Sequence, residues 1–248
     1  MAELVSRLSA ARVGPWLRPV SYRWFARPLD KILGSWARLR GRRYDNYRLE
    51  SIDGARFIVL PSVFNPKLPR TGAFLISCVD GKLLEERSEV LDLGTGSGVG
   101  AVFAARYARR VVAVDINPAA VRCARINAQL NAVEDRIDVR LGDLFAPVAG
   151  ERFDVVLFNP PFLRGSPRDD RDRAWRSTDV PERFAAGLAA HLKPGGVALM
   201  VLSTFGDAGA FLDQCAQQGL LITRVKERSY LNERLAIFRL EAVRAGTS

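Results

Sequence analysis

Residues 90–100 read VLDLGTGSGVG. The apolar stretch at 89–93 has the length and composition of a buried strand, and the residues after the glycines resume an apolar pattern suited to a helix. Gly94, Gly96 and Gly98 fall between the two. Glycine there permits a tight turn and lets the backbone approach a bound molecule closely. The spacing is G-x-G-x-G, which is not the G-x-G-x-x-G of dinucleotide sites. No Lys-Ser/Thr pair ends the loop, so it is not a phosphate-cradling P-loop either.

Working outward, the same strand–turn–helix rhythm repeats. The patterning predicts a helix over 98–108, a strand over 111–115, a helix over 118–130 with Pro118 in its first turn, and strands over 137–141 and 153–158. A helix over 180–192, a strand over 197–203 and a helix over 205–218 follow. The last two strands, 221–226 and 235–240, are separated by eight residues, too few for a parallel crossover, so they pair antiparallel. Alternation of this kind predicts a doubly wound α/β fold on a seven-stranded, mostly parallel sheet. Upstream, YRLESI and ARFIVL flank Asp53-Gly54 as a hairpin over 47–60. A loop over 61–69 and a helix over 71–84 complete the approach to the core at 89–243.

Composition bounds the remainder. The chain has 248 residues, with 37 Lys and Arg against 27 Asp and Glu, a net charge of +10. Eleven of the basic residues and four of the acids lie in residues 1–50. Residues 1–46 are therefore read as a basic arm, helical in pieces, with Trp16, Tyr22, Trp24, Phe25 and Trp36 interleaved. Such an arm suits RNA, a ribosomal partner or an anionic membrane surface, and equally a solvated segment docked by its aromatic rings. Cys78, Cys123 and Cys215 stand singly, which argues against a disulfide framework or metal site and for a reducing, cytoplasmic compartment. No apolar run is long enough to span a membrane, and no secretory leader is expected.

Strand ends carry the chemistry. Asp115 closes the second strand of the core, where a carboxylate can accept from both hydroxyls of a ribose. Asp143, just past the third, can meet an adenine amino edge; the plainer reading is a turn former. The strand 153–158 stops at Asn159-Pro160-Pro161-Phe162. Neither proline has an N–H to continue a ladder, so the asparagine amide is left at the carboxyl edge of the sheet, where open α/β sheets bind ligands. An amide beside an aromatic ring suits a planar –NH2 group. The lone His191 reads as a capping or surface residue, and the segment 163–179, with five Arg and four Asp, as a loop framing the entrance.

Taken together, VLDLGTGSG and VVAVDINPAAVRCARINAQLN resemble the first motif and the second strand and helix of the class I S-adenosylmethionine-dependent methyltransferases. NPPF resembles the Asn-Pro-Pro-aromatic signature of their amino-methyltransferase group: HemK-like glutamine N5-methyltransferases, N6-adenine DNA methyltransferases and N2-guanine rRNA methyltransferases. VFNPKLPRTGAFL at 63–75 loosely resembles the segment preceding the first motif in HemK-like enzymes. The resemblance implies S-adenosylmethionine as methyl donor, held by Asp92, Gly94, Thr95, Gly96, Gly98, Asp115, Ile116, Asp143, Leu144 and Asn159. It implies catalytic roles for Asn159, the Pro160 carbonyl and Phe162, and no metal. The acceptor it favours is a protein glutamine, on a release factor or a ribosomal partner; an rRNA or tRNA base, then a small molecule, and last a non-catalytic nucleoside-binding module are the alternatives.

Overall fold

A computed structural model describes residues 46–66, 70–161, 163–166, 176–231 and 233–243. The basic arm at 1–46 lies outside the described residues apart from its last residue. Two short strands, β1 (Arg48–Ile52) and β2 (Ala55–Val59), form an antiparallel hairpin. Asp53 at φ 47° and Gly54 at φ 79° make its turn, both left-handed, as a two-residue turn matched to strand twist requires. Helix α1 (Thr71–Ile76) leads to β3 (Glu89–Leu93), α2 (Val99–Ala104), β4 (Arg110–Asp115), α3 (Pro118–Leu130), β5 (Ile137–Leu141) and β6 (Phe153–Phe158). The two-residue strands β7 (Leu163–Arg164) and β8 (Arg176–Ser177) pair with each other, and α4 (Val180–Leu188), β9 (Leu192–Ser203), α5 (Ala208–Gln217), β10 (Leu220–Ser229) and β11 (Arg234–Ala242) close the domain.

The main sheet has seven strands in the order β10-β11-β9-β6-β3-β4-β5. Pairings β6–β3, β3–β4, β4–β5 and β9–β6 are parallel, and β11 runs antiparallel to both its neighbours. This is the doubly wound, mostly parallel sheet that the alternation predicts. Its central strands are apolar along their length because helices cover both faces. One core layer joins Phe57, Phe74, Val102 and Phe103 to one face of the sheet; the other joins Phe158, Phe184, Leu188 and Phe211 to the opposite face.

Several element boundaries differ from the sequence expectation, each for a local reason. The helix predicted over 71–84 stops at Ile76, where the Ser77 hydroxyl donates to Phe74 O (2.6 Å) and Asp80 turns the chain by accepting from the Lys82 and Leu83 amides. The helix predicted over 98–108 ends at Ala104, and tight turns carry the chain on to Ala108. The helix predicted over 205–218 begins at Ala208, where the Asp207 side chain caps it by accepting from Ala210 N. The helix predicted over 180–192 ends at Leu188, and strand β9 starts at Leu192 where 197 was expected. Lys193 to Gly196 are absorbed in that strand as a bulge against β6. Gly196 makes the bulge possible, since a Cβ there would sit 2.7 Å from the Phe153 carbonyl. The closing strands are longer than 221–226 and 235–240 because they pair over nearly their whole length.

Candidate active site

The carboxyl ends of β3, β4, β5 and β6 open on one cleft, of about 1150 Å³ including its open mouth. The turn after β3 forms the floor. Thr95 N donates to Val114 O (2.9 Å), which pins the loop to the neighbouring strand. Asp92, 5% exposed, accepts from the Thr95 hydroxyl (2.6 Å) and from Ala101 N (2.8 Å), tying the strand end to the start of α2. Burial pushes its carboxyl up to about 6, with the Asp115 charge adding to the rise. Gly100 is the residue that lets Asp92 lie there, since a Cβ on Gly100 would come within 2.5 Å of Asp92 Oδ1. Gly98, at φ 84°, passes so close to α3 that a Cβ would be 3.0 Å from Ala124 Cα.

Asp115 ends β4 beside the loop. Its Oδ2 accepts from Gly96 N (2.8 Å) and its Oδ1 from Asn117 N (2.9 Å). Burial raises its carboxyl, and the backbone N–H bonds pull it back. A carboxylate has about four acceptor sites, and backbone N–H groups of Gly96, Ile116 and Asn117 draw on them, so a ligand hydroxyl would meet a carboxylate already held in place. Ile116, 40% exposed, lines the same wall. Asn117 caps α3 by accepting from Ala119 N and donates from Nδ2 to Ser62 O (3.0 Å). That bond holds the segment after β2, with Phe64 and Pro66, as the facing wall.

Asp143 and Leu144 follow β5 and line the cleft. Asp143 is engaged as well: Arg183 of α4 donates to its Oδ2 at 2.7 Å. At the centre, β6 ends at Asn159. Its Oδ1 is buried and among the described residues has no hydrogen-bond partner, and Asn159, Pro160 and Pro161 all face the cleft. An orphaned buried acceptor costs about 1–3 kcal/mol, so it marks a place where a donor is to arrive. Phe158, just before it, is fixed by stacking on Phe184 at 4.4 Å. Phe162 lies outside the described residues. His191 takes the capping role: its Nδ1 lies 2.8 Å from Gly187 O in the last turn of α4, and its ring stacks on Phe145 (4.4 Å), which leaves it half-buried at the edge of the core and not on the surface.

The cleft thus brings together Asp92, Gly94, Thr95, Gly96, Asp115, Ile116, Asp143, Leu144, Asn159 and Pro160. Gly98 stands just behind the wall as the left-handed cap of α2. One residue that sequence reasoning passed over binds the assembly from behind. Asn127, with no exposed surface, accepts from Ile58 N (2.8 Å) and donates to Ile58 O (2.7 Å) and Ser97 O (2.8 Å). It ties the hairpin to the glycine loop. The available signal was an asparagine on the apolar face of α3, in register with Ala120, Cys123 and Ala124.

These residues suit S-adenosylmethionine. A Cβ on Gly96 would meet nothing within 4 Å, so the loop leaves room at the cleft floor. Asp115 lines the cleft with its carboxylate fixed by backbone N–H groups, and Asn159 offers an oxygen unmatched among the described residues. The fold and the site define a class I S-adenosylmethionine-dependent methyltransferase. The chain belongs to the methyltransferase small domain family, which matches residues 54–227.

Within that family it is similar to ribosomal RNA small subunit methyltransferase C of Alcanivorax borkumensis, 37% identical over 142 residues that make up 57% of this chain and 40% of that protein. It is also similar to the release factor glutamine methyltransferase of Koribacter versatilis, 34% identical over 163 residues, 59% of this chain and 57% of that one. The chain spans about half the length of these relatives. Among solved structures it resembles the T. thermophilus 16S rRNA N2 G1207 methyltransferase in complex with AdoMet and guanosine, with a TM-score of 0.62, 25% identity, and coverage of 80% of this chain and 50% of that one.

Proposed function

We propose that this protein is an N-methyltransferase acting on a planar amide or exocyclic amino group, with the side-chain amide of a protein glutamine as its first acceptor. The observation that carries the reading is the buried, unpartnered Oδ1 of Asn159 at the end of β6. Bound S-adenosylmethionine would supply a methyl made electrophilic by its sulfonium. The residues that would hold it are the loop Gly94–Gly98, Asp115 and Ile116 on one side and Asp143 and Leu144 on the other, with Asp92 and Thr95 bracing the loop.

The work left to the chain is at the acceptor nitrogen. Its lone pair is delocalised into a π-system, and it must be held at near-attack distance and pyramidalised. Asn159 Oδ1 would accept one N–H and the Pro160 carbonyl the other, turning the lone pair toward the methyl. Both acceptors strengthen as the nitrogen becomes cationic, which favours the transition state over the bound substrate. The two prolines stiffen the turn that carries them. Phe162 would cover the planar group. The methylated nitrogen is acidic enough to lose its proton to water, so no general base is required.

Similarity to release factor glutamine methyltransferases supports glutamine, on a release factor or ribosomal partner. A second reading, an RNA base amine, is supported by the likeness to the rRNA methyltransferase crystallised with guanosine. Labelling a lysate with methyl-tritiated S-adenosylmethionine separates the two. Protease-sensitive counts that release methylamine in hot alkali mark an N-methylated glutamine; RNase-sensitive counts mark a base. No transfer to any macromolecule would overturn the macromolecular acceptor.

A further inference from the structure

A cationic rim lies at the carboxyl edge of the sheet beside the cleft. Arg70 precedes α1, whose Gly72, Leu75 and Ile76 line the cleft wall. Its guanidinium lies 4.7 Å from the centre of the Tyr230 ring. Arg228, near the end of β10, lies 5.6 Å from the Phe74 ring, and Lys226 on the same strand donates to Ser77 Oγ (2.8 Å) at the end of α1. Two-residue alternation puts Lys226 and Arg228 on one side of β10 and Glu227 on the other, where Glu227 pairs with Arg224. Arg70 and Arg228 are exposed, and among the described residues neither has a carboxylate partner. The one acid near Arg70 is Glu233, half-buried and already hydrogen-bonded by the Ser203 hydroxyl.

At the opposite edge Arg109, Arg110, Arg140 and Lys193 are all bonded to carboxylates. A guanidinium resting over a ring, with no carboxylate bonded to it among the described residues, can meet an anion from outside. The chain's net charge of +10 favours a polyanion. The tip of the same hairpin and the loop after β9 add exposed apolar groups, Leu231 and the 45%-exposed Phe205, and an aromatic ring beside cations is the arrangement that holds single-stranded nucleic acid.

We propose that the rim of Arg70, Lys226 and Arg228 binds the phosphodiester backbone of RNA. This goes beyond the methyl-transfer reading and is tested without turnover, so either can fail alone. Anisotropy of a labelled single-stranded oligoribonucleotide with the full chain, over a salt series, is the measurement. Arg70→Gln with Arg228→Gln should weaken binding at least about tenfold at low salt and flatten the log–log salt slope by about 1.4, two phosphates at ~0.7 each. Arg70→Lys with Arg228→Lys should retain most of the affinity. Arg87→Gln with Arg106→Gln, exposed at the opposite edge, should stay within about twofold of wild type, and S-adenosylmethionine affinity should not change in any variant. Unaltered RNA binding in the Arg70/Arg228 variant would overturn the proposal. So would an equal loss in the Arg87/Arg106 control, which would mean bulk charge alone, or equal competition by polyglutamate, which would mean an acidic protein surface.

Discussion

The two edges of the central sheet are built to opposite rules. Toward the amino edge several ion pairs close on the chain itself: Lys193 bridges Glu89 and Asp154, Arg109 meets Glu89, and Arg110 shares Glu151 and Asp138 with Arg140 of β5. At the carboxyl edge Asp92 and Asp115 bond to backbone N–H groups and a threonine hydroxyl, and among the described residues the Asn159 oxygen bonds to nothing. The strands are the same and run through both edges. What differs is whether the polar groups at their ends are closed by the chain or left for something else to close. Closure at one edge contributes order, and non-closure at the other is what makes a site.

The largest effect should come from the most open group. Asn159→Ala is expected to lower the methylation rate constant by about 10²–10³, while calorimetric affinity for S-adenosylmethionine stays within about threefold. A variant that turns over normally would put the acceptor site elsewhere. Next comes the loop. Gly100→Ala would drive a methyl into Asp92, with 2.5 Å available, and should weaken S-adenosylmethionine binding about tenfold or more and lower the melting temperature by several degrees. Unchanged affinity would mean that Asp92 does not shape the loop.

A subtler contrast lies in pH. Burial raises the Asp92 carboxyl to about 6, so its contribution to stability is full below the ordinary carboxylate range and is lost as pH climbs toward 6. The Arg140 hydrogen bond holds the Glu151 carboxyl below its ordinary value, so its contribution is present above that value and is lost on acidification. Melting curves from about pH 4 to about pH 7 should therefore move Asp92→Asn upward relative to wild type and Glu151→Gln downward. Parallel curves would erase the distinction between the edges. The smallest effect concerns Arg183→Gln, which frees Asp143 from an exposed ion pair worth at most about 1 kcal/mol. S-adenosylmethionine affinity should fall no more than about fivefold; a larger loss would give Arg183 a direct part in binding.

How much of this was legible depended on distance along the chain. The glycine turn, Asp115 and Asn159-Pro160 are local signals, and the parallel sheet follows from strand–helix alternation, so the fold and the cleft floor could be read directly. Features set by remote contacts could not. The bond between Arg183 and Asp143 joins residues 40 apart, and Asn127 reaches Ile58 across 69. Helix α1 ends early because Ser77 and Asp80 offer the backbone hydrogen bonds that compete with the helix. The bulge at Lys193–Gly196 hid the start of β9 because a Lys-Pro-Gly-Gly run reads as a turn unless the neighbouring strand is known.

The central claim is that the methyl arrives on a planar nitrogen presented to Asn159. Tandem mass spectrometry of the macromolecule labelled by the wild-type protein tests it at the level of the atom. A single methyl on an amide or exocyclic nitrogen is expected, absent when Asn159→Ala replaces the wild type. A methyl found on carbon or on oxygen would contradict it.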